Sequence, residues 1–105
     1  MATGINEVES KRAYKIYKVF SDYTLNGHGY YWNIYNCEPV PGYEMVGIAG
    51  FYFTGNNSAH LNLQSLWFTS SENQLNIGVQ NTINSSITFN LFVVVMYESN
   101  PNWLS

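Results

Sequence analysis

Two stretches of this chain are apolar on both faces of any strand they could form. Residues 41 to 55 read PGYEMVGIAGFYFTG, in which Met45, Val46, Ile48, Ala49, Phe51, Tyr52 and Phe53 supply apolar groups at successive positions, and residues 91 to 97 read LFVVVMY. Successive side chains of a strand point to opposite faces, so such a strand needs dry surroundings on two sides. A two-layer sandwich gives each sheet only one. The second face must lie inside a closed barrel, beneath a long loop, or against another chain. Contact with another chain fits better, because burying a shared patch is worth roughly 25 cal/mol per Å² and an exposed strand this apolar invites aggregation. The sequence therefore predicts self-association, with Val46, Ile48, Phe92, Val94 and Met96 at the interface.

The rest of the chain is punctuated into further strands. From Ala13, YKIYKVF, residues 14 to 20, reads as a strand that places Tyr14, Ile16 and Lys18 on one face and Lys15, Tyr17 and Val19 on the other, and DYTLNGHG reads as a loop turning at Asn26-Gly27. YYWNIYN, residues 30 to 36, is aromatic and β-branched enough for a second strand, which CEPVPG ends because proline cannot donate to a ladder. Residues 60 to 68 alternate with Leu61, Leu63, Ser65 and Trp67 inward. Residues 74 to 81 set Leu75, Ile77 and Val79 against Asn76, Gly78 and Gln80. No segment of ten or more residues holds a helical period. Short strands joined by Asn/Gly/Ser turns predict an all-β domain, a sandwich or small barrel, over residues 11 to 105. We take the antiparallel, jelly-roll-like β-sandwich as the expected form. Residues 1 to 10 are polar and aperiodic and read as a flexible tail or linker.

Composition removes several functions. Charged residues make up 10% of the 105 residues, against about 25% in an average domain, while nine Tyr, six Phe and three Trp bring aromatics to 17%. The four basic residues, Lys11, Arg12, Lys15 and Lys18, sit in one short stretch, and no Lys or Arg follows Lys18. A nucleic-acid partner is disfavoured, since binding phosphates needs distributed cations. Cys37 is the only cysteine, so no intrachain disulfide or thiolate metal cluster can form, and it reads as a small buried apolar residue. MATGINEVESKR lacks the features of a signal peptide and no stretch approaches a membrane span, so synthesis in the cytoplasm without membrane insertion is expected.

The run PVPGYEMVGIAGFYFTG, followed by LNLQSLWF and QLNIGVQNTINSSITFNLFVVVMY, resembles the C-terminal receptor-binding head of bacteriophage tail fibres, especially those of prophages in Gram-positive bacteria. The resemblance rests on Gly42-Tyr43, Val46-Gly47-Ile48 with Gly50, Val79 with Asn81, and Val93, Val95 and Tyr97, and covers residues 39 to 97. It implies a homotrimeric β-sandwich head in a virion tail, joined to an upstream fibre shaft and binding a bacterial surface polysaccharide. A purely structural virion or appendage module, or a free-standing lectin, is the alternative.

Catalysis has little to work with. The seven carboxylates are scattered over the tail, turns and strand ends, with Glu38 and Glu44 around one turn the only internal pair a glycosidase could use. His28 and His60 carry no nucleophile motif, and with only H-G-Y and H-L-N a metal would need a threefold ring of His60, which is geometrically possible. No enzyme activity, cofactor or metal is therefore expected. Sugars are held by aromatic faces and amides on loops of rigid scaffolds. GHGYYWNIYN and TGNNSAH offer that chemistry, which marks Tyr30, Tyr31, Asn33, Asn56, Asn57 and His60 as candidate glycan contacts.

Overall fold

The computed structural model describes residues 11–100. The tail expected over residues 1 to 10 lies outside them, as do residues 101 to 105. Six strands dominate: β1 (Arg12–Leu25), β2 (Tyr30–Asn36), β3 (Tyr43–Thr54), β4 (Leu61–Thr69), β5 (Gln74–Asn81) and β6 (Ile87–Ser99), with single 3-10 turns at Ser58–His60 and Ser70–Glu72. A first sheet has the order β1-β6-β3 and a second the order β2-β5-β4, with every pairing antiparallel. The two pack face to face as a β-sandwich. Among the described strands only β4 and β5 form a hairpin; the other pairings, β3 with β6, β2 with β5 and β1 with β6, join strands far apart in the chain.

The core lies between the sheets. Ile87, Phe89, Leu91, Val93, Val95 and Tyr97 of β6 and Leu75, Ile77 and Val79 of β5 are buried. Each fully buried aliphatic or Phe side chain contributes about 1.5–3 kcal/mol. Aromatic rings from both sheets close one side of the sandwich: Tyr23 stacks on Tyr31 at 5.0 Å, Phe20 on Phe89 at 5.4 Å, and Tyr17 meets Tyr35 at 5.8 Å. As expected, β5 turns Leu75, Ile77 and Val79 to the core, but its other face is not wet: Asn76 and Gly78 are buried and Gln74 and Gln80 half-buried, because β5 is the central strand and Tyr30 and Ser65 reach over Gly78.

Bulges change three expectations. First, β1 does not stop at Phe20. Register shifts after Lys18 and Phe20 let it pair with β6 as far as Leu25, and the second shift contains Asp22 at φ 47°. Asn90 of β6 holds that irregular segment, accepting the Asp22 N–H on Oδ1 at 2.8 Å and donating from Nδ2 to the Thr54 hydroxyl at 3.1 Å.

Second, β3 is less two-faced than its sequence implies. Its register against β6 slips between Met45 and Gly47 and again between Ile48 and Gly50, so Val46 and Ala49 are extra residues. Met45, Ile48, Phe51 and Phe53 then pair with core-facing residues of β6, while Gly47, Gly50 and Tyr52 share the outer face with Met96, Val94 and Phe92. Between Leu91 and Tyr97, β6 carries apolar groups on both faces without interruption.

Third, β4 slips between Leu63 and Ser65, which reverses its alternation. Leu66 and Phe68 pack on the core and Trp67, expected inward, is exposed.

Candidate functional site

Antiparallel winding puts three connections at one end of the sandwich: residues 26–29, 55–60 and 82–86. The connections 37–42 and 70–73 lie at the other end, together with Lys11 and Ser99, whose backbones pair through the Ser99 N–H and the Lys11 carbonyl at 2.8 Å. The three-loop end is organised by one buried side chain. Asn81, 0% exposed, donates from Nδ2 to the carbonyls of Leu25, Asn26 and Ser85 at 3.2, 3.0 and 2.8 Å and accepts the Ile83 N–H on Oδ1 at 3.0 Å. Its own N–H donates to the Gly29 carbonyl, and the His28 N–H donates to that of Ile83, both at 2.8 Å. The His60 carbonyl accepts the Thr82 N–H at 3.2 Å and the Thr82 hydroxyl at 2.5 Å. The 55–60 loop is thereby tied to the 82–86 loop, and the latter to the 26–29 turn.

Six candidate glycan contacts separate into three places. Asn56, Asn57 and His60 come together, exposed, on the 55–60 loop, with Asn57 in the left-handed region at φ 65°. Tyr30 stands at the loop end of β2 and points outward from the second sheet. Tyr31 and Asn33 pair with the core-facing Val79 and Ile77, so they lie on the opposite face from Tyr30. Tyr31 sits at the inter-sheet edge, engaged by Tyr23 and by Phe20.

Among the five residues expected at an interface, Phe92, Val94 and Met96 share the outer face of the first sheet. Val46 is half-buried at the first bulge, and Ile48 packs against the core. The first-sheet face is built in cross-strand rows: Arg12, Glu98 and Glu44; then Tyr14, Met96 and Gly47; Ile16, Val94 and Gly50; Lys18, Phe92 and Tyr52; and finally Asn90 with Thr54. Tyr14 and Ile16 are 53% and 58% exposed, and Tyr52 stacks on Phe92 at 4.8 Å with the rings nearly parallel. The apolar middle is framed by a charged row and a polar one. Strand alternation in residues 14 to 18 carries the signal for Tyr14 and Ile16.

Sequence reasoning missed a second exposed face. Tyr30, Trp32 and Ile34 alternate outward on β2, opposite to Tyr31, Asn33 and Tyr35, and Trp67 joins them from β4. The alternation of β2 marks the first three. Trp67 could be found only by knowing the bulge at Gln64.

The ionisable groups are arranged for structure. Burial pushes the Cys37 thiol up to about 11, which keeps it protonated at neutral pH and unlike an activated nucleophile. Tyr17 and Tyr97 are likewise raised by burial. Glu44 stands opposite Glu98 rather than forming a pair with Glu38, and Glu98 accepts from Arg12 Nε at 3.1 Å. Like charges facing each other across strands are unfavourable, and the guanidinium offsets this. Among the described residues no group of three His, Cys, Asp or Glu side chains could hold a metal ion, no concave pocket opens in the surface, and no helix is long and apolar enough to cross a membrane. No family model, curated protein or solved structure matches the chain.

Proposed function

We propose that this domain is a non-enzymatic attachment head of the phage tail-fibre type, which self-associates through the outer face of its first sheet and turns its three-loop end toward a bacterial surface glycan. The observation that carries this reading is the framed apolar patch on that sheet, centred on Val94. Three rows whose side chains are apolar except for Lys18 form the kind of surface that contact with another copy would bury. The threefold form of the association rests on the family resemblance. Loops at the end away from Lys11 and Ser99 carry Asn56, Asn57 and His60 with no Lys or Arg, a surface suited to uncharged or basic sugars rather than phosphate-rich ones.

Sedimentation equilibrium at micromolar concentration tests the reading. The wild-type protein is expected to be a trimer, and Val94→Lys a folded monomer. A wild-type monomer, or a trimer unaffected by Val94→Lys, overturns it.

A further inference from the structure

The outer face of the second sheet has a composition that neither the core nor self-association through the first sheet accounts for. Tyr30, Trp32 and Trp67 are 52%, 44% and 49% exposed there. In cross-strand rows, Tyr30 faces Gln80, Trp32 faces Gly78, which faces Ser65 on the other side, and Trp67 faces Asn76. Apart from Ile34, the other side chains on this face are amides and hydroxyls, and it carries no acidic or basic group.

Two features give the face order. Cross-strand amide bonds, Gln64 Nε2 to Gln80 Oε1 at 2.8 Å and Gln74 Nε2 to Asn36 Oδ1 at 2.9 Å, orient the polar groups while leaving each amide further donors or acceptors. At the centre, Gly78 leaves room for its neighbours to lie down. A Cβ there would stand 2.5 Å from the Tyr30 hydroxyl and 2.7 Å from the Ser65 hydroxyl, so both reach over the glycine. The phenol thus extends across the sheet between the strands that carry the two indoles.

We propose that this face is a binding platform for an uncharged carbohydrate chain, whose C–H faces stack on Trp32 and Trp67 while its hydroxyls bond to Tyr30 and to the Gln64–Gln80 amides. The proposal rests on the glycan reading above, but moves the main contacts from the loops to the sheet. Two properties select this occupant. Aromatic rings separated by amides match a ligand with alternating C–H and hydroxyl surfaces. The lack of acidic and basic groups removes any attraction for a charged polymer.

The test uses the full chain in a Trp103→Phe background, so that Trp32 and Trp67 are the only indoles. It is applied to an array of uncharged hexose and N-acetylhexosamine oligosaccharides, with phosphorylated and sialylated chains as controls. Wild type is expected to bind uncharged chains, with indole fluorescence shifting and acrylamide quenching falling on binding. Trp32→Ala and Trp67→Ala should each weaken binding by about 5- to 10-fold, the range of a lost aromatic contact, and the double variant should abolish it with the far-UV spectrum unchanged. Binding that survives the double variant but is lost in Asn57→Ala overturns the platform and leaves the glycan reading standing. Binding to none of the array members overturns both. Acrylamide protection of the two indoles that appears with rising protein concentration alone assigns the face to a second copy and overturns the platform.

Discussion

The hydroxyls of Tyr17 on β1 and Tyr97 on β6 hydrogen bond to each other at 2.5 Å inside the core, beside the Cys37 thiol. Neither oxygen has water to turn to, since Tyr17 and Tyr97 are both buried. Removing one hydroxyl strands the other. Tyr17→Phe and Tyr97→Phe should each cost about 1–3 kcal/mol, and the double variant less than their sum, because it leaves no orphaned partner. Urea unfolding of the two single variants and the double variant measures the difference; additive losses would show that the hydroxyls act independently.

The same cluster makes the fold sensitive to alkali. Burial raises all three groups above their ordinary values, so the folded state keeps protons that the unfolded chain releases, from near 9.0 for cysteine and 10.0 for tyrosine. Their effect on stability is nil below those values. Above them stability falls with pH, each group contributing at most ~1.4 kcal/mol per pH unit, and the Cys37 share ends at about 11. Thermal melts between about pH 8 and about pH 11 should show the decline, and Cys37→Ala should delay its onset to the tyrosine range. A melting temperature constant over that interval contradicts this account.

Asn81 is the residue whose loss should most damage the three-loop end. Asn81→Ala takes the Nδ2 donor from the carbonyls of Leu25, Asn26 and Ser85 and the acceptor from the Ile83 N–H, with the Asn26 carbonyl keeping the Gly29 N–H, for an expected destabilisation of about 2–4 kcal/mol. Asn81→Asp should be at least as harmful, since it turns an acceptor toward the three carbonyls. Hydrogen exchange should show the loops 26–29 and 82–86 losing protection before the strands do.

Two glycines separate packing within the fold from packing against another copy. A Cβ at Gly27 would run into the backbone carbonyl of Asn84, whereas one at Gly50 meets nothing within 4 Å. Gly27→Ala should therefore destabilise the domain by more than ~1 kcal/mol, while Gly50→Ala should be neutral or stabilise it by up to ~1 kcal/mol through lower strand entropy. If copies pack on the first sheet, Gly50→Leu should weaken association while raising no fault in the isolated fold. Sedimentation and urea unfolding of the same samples separate the two effects.

Tyr31 shows how far the sequence could be read. Aromatic and β-branched content marked residues 30 to 36 correctly as a strand, and simple alternation already separates Tyr30 from Tyr31. What alternation could not supply was the face that meets the other sheet, where Tyr31 stacks on Tyr23. Tyr31→Ala is accordingly expected to lower stability by about 1–3 kcal/mol, which urea unfolding checks. Strands without irregularity were legible: β5 and β6 keep strict alternation from end to end. Where one extra residue enters, as at Gln64, Val46 and Ala49, the alternation reverses, until in β3 the second extra residue restores it, and nothing local in the sequence announces the slip. The role of Asn81 was half visible, since the pattern of Val79 with Asn81 singled out a corner, but its four hydrogen bonds join segments far apart in sequence.

The side-by-side exit of Lys11 and Ser99, with the three loops at the far end, also sets how the domain responds to mechanical load. Ladder bonds of antiparallel strands lie perpendicular to the strands. A force pulling those two residues apart would open the β1–β6 ladder one bond at a time, like a zip, and would meet little resistance. A force between that end and the three-loop end runs along the strands instead, so that it shears many bonds of each ladder at once and they share the strain. The molecule is therefore weak when its two ends are drawn from each other and strong when it is stretched between its base and its tip.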